Sequence, residues 1–416
     1  MLNDAGGREP WRRTLYVMWV ADFIAVGGIS LAIPFLPLYL KELGVTDDAA
    51  AQRWSGLIVS ANFLCAAVMS PIWGSLSDRY GRKPMALRAI VGLSFSIGLM
   101  AFATRPEHLL ILRLLQGAVG GFVSASVALV ASAVPKEKLG ATLGTLQTAL
   151  TAGNVIGPLL GGRLADWFGY SHVFLITGGL CLVAAAVVAL FVREEFTPVS
   201  AAERHGLRDN LVLLRSLPAL HATFGVMFLT QVGFMVVQPV LPLLLRDLAG
   251  SDHLLRTKVG FVFSMPGVAA VIAAPLWGRQ GDRIGYRFTL ALALLGAGLC
   301  YLPQALAHSI AALAAMRFAL GLFSAGVSPS ASSVVASSVE ESRTASALAL
   351  LATAQWTGNV CGPLMGGFLS AHLGIQPVFV ITGVLLLLSG GLALRVARSQ
   401  KALVAHEPVT SPVCRR

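Results

Sequence analysis

Apolar stretches of about 20 residues, each long enough to cross a ~30 Å hydrocarbon layer, recur along the chain with only short polar breaks between them. They lie near 13–40, 54–77, 87–104, 107–132, 140–166 and 171–192, and again near 219–245, 256–279, 288–306, 309–335, 344–370 and 375–396. No single soluble core could hide so much apolar surface, since 56% of the residues are hydrophobic, 12% are charged and the mean hydropathy is +0.74. The bilayer must take it up, and the fold class expected is an all-α membrane protein with twelve transmembrane helices.

The net charge of +11 belongs to the loops of such a protein. With an even number of crossings both termini share one side, and that side with its loops carries 22 of the 31 Lys and Arg, against 7 on the other side. This excess places both termini in the cytoplasm. No basic soluble domain with interleaved aromatics is present to carry nucleic acid. Cys65, Cys181, Cys300, Cys361 and Cys414 are scattered, four of them in apolar stretches and none in a Cys-x-x-Cys pair, so they read as packing residues rather than disulfides or metal ligands. Neither a metal nor a cofactor is expected. The first apolar stretch runs into Pro-containing sequence without a small-residue cleavage site, and a retained first helix is expected.

The two sets of stretches repeat one another. Pro71-x-Trp73-Gly74 with Asp78-Arg79-x-Gly81 recurs as Pro275-x-Trp277-Gly278 with Asp282-Arg283-x-Gly285, and Arg113 with Gly117 recurs as Arg317 with Gly321, all shifted by 204 residues. Gly153-Asn154-Val155-x-Gly157-Pro158-Leu159-x-Gly161-Gly162 recurs, shifted by 205, as Gly358-Asn359-Val360-x-Gly362-Pro363-Leu364-x-Gly366-Gly367. A nearly constant offset means a duplicated six-helix unit in the same orientation. The divisions expected are a first bundle over 1–193, a cytoplasmic linker over 194–218, a second bundle over 219–396 and a cytoplasmic tail over 397–416. Parallel repeats place a substrate cavity at their mutual interface near the bilayer midplane.

The segment from Gly74 to Lys83 reads as a cytoplasmic loop in which Gly74 and Gly81 permit a tight turn while Asp78 caps a helix or pairs with a guanidinium. It also fits an ordinary positive-inside loop. In helix 5, Gly153, Gly157 and Gly161 line one face that a neighbouring helix can approach closely, and Pro158 favours a bend. Simple close packing explains the same spacing. Position by position, the first segment with Leu87 at its end resembles the signature loop of the major facilitator superfamily, and Gly-x-x-x-Gly-Pro-x-x-Gly-Gly resembles the antiporter motif of its twelve-helix drug/proton antiporter branch. Gly28 with Pro34 and Pro37, echoed by Pro239 and Pro242, matches the helix 1 element of that branch. The resemblance covers essentially the whole chain. It implies two pseudo-symmetric six-helix bundles. It also implies a cytoplasmic gate formed by Gly74, Asp78, Arg79, Gly81 and Arg82 with Asp282 and Arg283 in the second copy, and flexing interfaces at Gly153, Gly157, Pro158 and Gly161 and at Gly358, Gly362, Pro363 and Gly366.

Asp22 is the acidic residue placed well inside an apolar stretch, about nine residues or roughly 13 Å past Arg13 by helical rise. An ionised carboxylate in hydrocarbon is costly, so such a residue faces a cavity or a partner, and removal from water favours the neutral form that proton coupling needs. A later helix start would instead put it among headgroups. Arg113 is its natural electrostatic partner, and Arg113-x-x-Gln116-Gly117 resembles an element that the superfamily links to proton translocation; a snorkelling arginine is the alternative. Phe35, Asn62, Gln116, Gln147, Gln231, Met235, Gln355 and Trp356 are candidates for the cavity wall, where uncharged amides beside aromatics and methionine suit an amphipathic ligand. Each amide also fits an interhelical hydrogen bond.

The expectation is a secondary active transporter in the bacterial inner membrane, acting as a monomer, that exports drug-like amphipathic molecules in exchange for protons. Its partners are then a small-molecule substrate, protons and lipid. A carrier of one neutral metabolite such as a sugar shares every fold-level feature. A membrane sensor would need a sizeable soluble domain, and an intramembrane enzyme a nucleophile with its base or a metal cluster, neither of which the sequence supplies.

Overall fold

The protein is described by a computed structural model over residues 10–194, 218–250 and 254–406. Ten stretches of it are long and apolar enough to cross a membrane. We label the crossings α1 (Trp11–Glu42), α2 (Asp48–Tyr80), α3 (Arg82–Phe102), α4 (Pro106–Ala133), α5 (139–168), α6 (170–191), α7 (Leu220–Ala249), α8 (Leu255–Ile284), α9 (Tyr286–Leu306), α10 (Ile310–Ala336), α11 (Glu341–Leu373) and α12 (Ile375–His406). The run Leu139–Phe191 counts as two crossings because Gly169, at φ 76°, interrupts it, and α11 matches α2 in length at 33 residues each. Twelve helices thus stand where twelve apolar stretches are read.

The duplication reappears in the turns. Gly81 and Gly285, at φ 99° and 87°, reverse the chain between α2 and α3 and between α8 and α9. Gly169 and Gly374, at 76° and 84°, do so between α5 and α6 and between α11 and α12. Side chains other than glycine rarely adopt this left-handed region, so each bundle folds back at the same two places with a single residue. The ends of the protein are named here after their residues: the Gly81 end, which also holds Gly285, and the Asp48 end, which also holds Gly169 and Gly374.

Several boundaries differ from those read in the sequence. Gly74 belongs to no loop, for α2 stays helical through Tyr80 and turns only at Gly81. Helix α2 also begins at Asp48 rather than near 54, because Asp47 caps it by accepting the Ala50 amide at 2.8 Å. Helix α12 runs on through His406, into the stretch expected as tail. Of the expected linker, residues 195–217 lie outside the described residues, as do 407–416 of the tail with Cys414.

Lipid is as apolar as leucine, so helices inside a bilayer associate through close packing at small residues rather than through hydrophobic expulsion from water. The bundles obey this rule. A Cβ placed on Gly178 of α6 would meet Gly98 of α3 at 2.9 Å, and one on Gly298 of α9 would meet the Gly383 carbonyl of α12 at 2.9 Å. Large apolar side chains such as Phe102, Leu190 and Leu388 are left on the outside, where acyl chains replace water.

Candidate functional site: a cleft between the two bundles

The glycine faces of the repeated motif pack within their own bundles. A Cβ on Gly153 would meet the Gly27 amide of α1 at 2.8 Å, one on Gly157 would crowd Ser30 at 3.0 Å, and one on Gly161 would meet Leu31 at 2.8 Å. In the second bundle Gly358, Gly362 and Gly366 face Gln231, Met235 and Val236 of α7 in the same way. Amides tie the same pairs together. Ser30 donates to Asn154 at 2.6 Å between α1 and α5, and Gln231 donates to Asn359 at 2.6 Å between α7 and α11.

The motif prolines face the other bundle. The carbonyl of Pro158 lies against Gly260 of α8, and that of Pro363 lies against Gly56 of α2. Gly56 and Gly260 are themselves 204 residues apart, so the two contacts are pseudo-symmetric copies. Ser264 donates to the Val155 carbonyl at 2.6 Å, and the Leu364 amide donates to Ser60 at 3.1 Å. Both glycines were available to sequence reasoning through the repeat, but nothing in the sequence shows which carbonyl each one meets.

Toward the Asp48 end, charged groups join the halves. Arg246 of α7 holds both Asp48 oxygens at 2.9 Å, and Lys41 reaches Asp48 at 2.5 Å. Arg256 of α8 pairs with Glu42 at 2.5 Å and donates to the Ala165 carbonyl at 2.9 Å. Asp166 accepts from the Thr257 amide at 2.9 Å and from its hydroxyl at 2.5 Å. These loop-end residues carry no motif that singles them out in the sequence.

Every hydrogen bond and ion pair described between the halves lies on this side of the Phe63–Trp356 contact, an edge-on pair across α2 and α11 with ring centroids 5.9 Å apart. Beyond it, toward the Gly81 end, no hydrogen bond or ion pair between the bundles is described and side chains on α5 and α11 are exposed, which marks a cleft between them. Trp356 is 44% exposed, and Gln147, Thr148 and Thr357 along α5 and α11 are exposed too.

The other residues singled out in the sequence fall as follows. Asn62 donates to the Arg113 carbonyl at 3.1 Å, Gln116 accepts from Arg113 at 3.3 Å, and Gln355 donates to Ser328 at 3.4 Å, so all three serve helix contacts. Phe35 is 2% exposed and packs on Tyr170 with ring centroids 6.0 Å apart. It belongs to the interior of the first bundle and does not line the cleft. Met235 is half-buried against Gly362. Arg79 lies over the Tyr80 ring at 5.3 Å, Asp282 accepts from Tyr286 at 2.6 Å, Asp282 and Arg283 are exposed, and Asp78 is half-buried; no described contact carries any of these four across the cleft. Arg82 donates to the Ala128 carbonyl of α4 at 3.1 Å, within its own bundle.

Asp22 is fully buried, and its Oδ2 accepts from Ser126 of α4 at 2.6 Å. The expected pairing with Arg113 does not form. Arg113 and Ser126 stand 13 residues apart on α4, about 20 Å by helical rise, so Asp22 and Arg113 lie at different depths in the bilayer. Arg113 is 2% exposed with Nε and Nη2 unpartnered among the described residues. Its repeat, Arg317, lies beside Tyr301 and over the Phe263 ring at 5.9 Å. Among the described residues no three His, Cys, Asp or Glu side chains gather as a metal site.

Comparison with known proteins adds to this geometry. The family profile described as Major Facilitator Superfamily matches residues 18–226 and again 223–412, one copy for each bundle. The multidrug resistance protein MdtG of Proteus mirabilis (strain HI4320) is 38% identical over 385 residues, covering 92% of this chain and 95% of that one. MdtG of Serratia proteamaculans (strain 568) is 38% identical over 377 residues, covering 91% and 92%. Among solved structures, a bacterial homolog of the human lysosomal transporter Spinster, inward-facing and unoccupied, superposes with a TM-score of 0.78 at 16% identity, covering 95% of this chain and 98% of that one.

Proposed function

The chain belongs to the major facilitator superfamily and is a transporter, and from that premise we propose that it exports drug-like amphipathic molecules in exchange for protons by alternating access. The observation that carries this reading is the one-sided contact between the halves: the described bonds join them toward the Asp48 end, none is described toward the Gly81 end, and Trp356 and polar α5 side chains are exposed there. Placing the Gly81 end in the cytoplasm follows the excess of Lys and Arg there, and puts both termini on the inner side of a bacterial cytoplasmic membrane. The cleft then receives ligand from the cytoplasm or inner leaflet. The relatives named for multidrug resistance support efflux as the direction and lipophilic compounds as the substrate class.

Asp22 supplies the proton site. It is a carboxyl in the membrane interior with one hydroxyl partner and no described cation beside it, which is the setting in which a group binds and releases a proton as its surroundings change. Each charge that moves inward through about 100 mV yields about 2.3 kcal/mol, roughly 50-fold in substrate accumulation. Everted vesicles in a medium containing a fluorescent lipophilic cation test the assignment. An imposed proton gradient drives dye uptake in the unaltered protein, and Asp22→Asn abolishes it while detergent-purified protein keeps its thermal midpoint and ligand binding. Undiminished uptake by Asp22→Asn removes Asp22 from the mechanism.

A further inference from the structure

Helix α4 is not one rod. It parts between Ala118 and Phe122, where Gly121 takes φ 101°, and leaves a half-helix over 122–133. A break inside a bilayer exposes carbonyls that water cannot satisfy. Here Trp73 of α2 donates to the Ala118 carbonyl at 2.6 Å, and Arg88 of α3 donates to that of Gly120 at 2.8 Å while stacking 3.4 Å over the Trp73 ring. The break is therefore a held joint. Beyond it the half-helix is tied at two points two residues apart: Ser126 donates to Asp22 at 2.6 Å, and the Ala128 carbonyl accepts from Arg82 of the Gly81 turn at 3.1 Å.

The second bundle provides an internal comparison. Helix α10 divides before Val327, Trp277 donates to the Leu322 carbonyl at 2.5 Å, and buried Ser330 stands 204 residues from Ser126. Yet Met227 occupies the place of Asp22 at the shift of 205 set by Pro34 and Pro239, and at the shift of 204 Leu292 replaces Arg88 and Tyr286 replaces Arg82. The joint is duplicated; the acid on one side of it and the guanidinium on the other are not.

We propose that Ser126 is a positioning residue through which Asp22 sets the tilt of half-helix 122–133, and with it the hold that Ala128 has on Arg82 beside the cytoplasmic opening. The proposal rests on the proton-coupled reading above. An ionised carboxylate makes a hydrogen bond roughly twice as strong as a neutral acid does. A proton arriving on Asp22 thus loosens the tie between α1 and the half-helix, and its departure restores the tie. The charged and titratable groups on or flanking the helices packed with α1 and α4 are engaged elsewhere: Arg82 and Arg88 with α4 carbonyls, Arg113 with Gln116, Lys138 over the Trp11 ring, Arg163 over the Trp167 ring, and the Cys181 thiol against Gly28, six residues along α1. Among the described residues, Ser126 alone bonds Asp22.

The test uses the full chain in lipid nanodiscs, with its native cysteines replaced and nitroxides at Ala133→Cys and Ser337→Cys, exposed positions at the ends of α4 and α10. Double electron–electron resonance at acidic and at alkaline pH reads the distance between them. The expected result is a pH-dependent shift that Ser126→Ala and Asp22→Asn both lose, that Ser126→Thr restores by keeping a hydroxyl, and that Ser330→Ala leaves intact. A shift retained in Ser126→Ala but lost in Asp22→Asn overturns the proposal and leaves the proton reading standing. A shift retained in Asp22→Asn overturns both, and a shift lost equally in Ser330→Ala overturns the role given to Ser126 alone.

Discussion

Two arginines lie buried within apolar helices with no carboxylate beside them among the described residues, and this sets the energetics at single residues. Arg113 and Arg317 are both buried, and each leaves two guanidinium nitrogens unpartnered among the described residues. Buried charge costs several kcal/mol unless it is fully paired, and hydrophobic replacement of such groups often stabilises a protein. Their retention therefore points to work other than folding. Arg113→Met, close in volume, is expected to raise stability by about 1–4 kcal/mol while slowing transport. Thermal melting in detergent beside transport in vesicles checks both halves of this outcome, and a destabilised variant would mean that Arg113 holds the bundle together.

Among the elements, the helices and their glycine faces are legible in the sequence because both depend on local spacing: an apolar run long enough to cross, and small residues four apart. Partners across space are not. The 204-residue repeat marks Gly56 and Gly260 as equivalent, but only packing shows that each meets a motif proline from the opposite bundle. The charges on Asp22 and Arg113 invite a pairing that α4 forbids by its length, and the partner found, Ser126, is one unremarkable serine in an apolar run. The joint in α4 is equally hidden, since no spacing or motif sets Gly120-Gly121 apart within its apolar stretch. Pairing at the proline contacts yields an element-level prediction. Gly260→Val places side-chain atoms against the Pro158 carbonyl, an overpacking of about 1–3 kcal/mol that acts only when the Asp48 end is closed. Each bundle should fold as before, while cysteines introduced at Asp48 and Arg246 gain reactivity toward a water-soluble maleimide. Unchanged reactivity would show that α5 and α8 do not need this approach to close.

Across the whole molecule, closure at the Asp48 end rests on pairs that are only partly shielded: Asp48 is 49% exposed and Arg246 29%. Exposed ion pairs contribute about 1 kcal/mol or less each. Under the proposed exchange, a seal built from several such pairs favours one state and still breaks in every cycle, and the backbone contacts at Gly56 and Gly260 give it shape. The Gly81 end has no equivalent crossing contact among those described, which is the arrangement the proposed alternating access calls for in its cytoplasm-open state. Ligand is expected to move only if the Asp48 end opens. Transport in proteoliposomes decides this, using a protein that carries Asp48→Cys and Arg246→Cys, its native cysteines replaced, before and after a short cleavable bismaleimide joins the two. The cross-link should stop transport, cleavage should restore it, and Gln147→Cys should stay reactive from the cytoplasmic side throughout; continued transport by the cross-linked protein would show that the Asp48 end need not open.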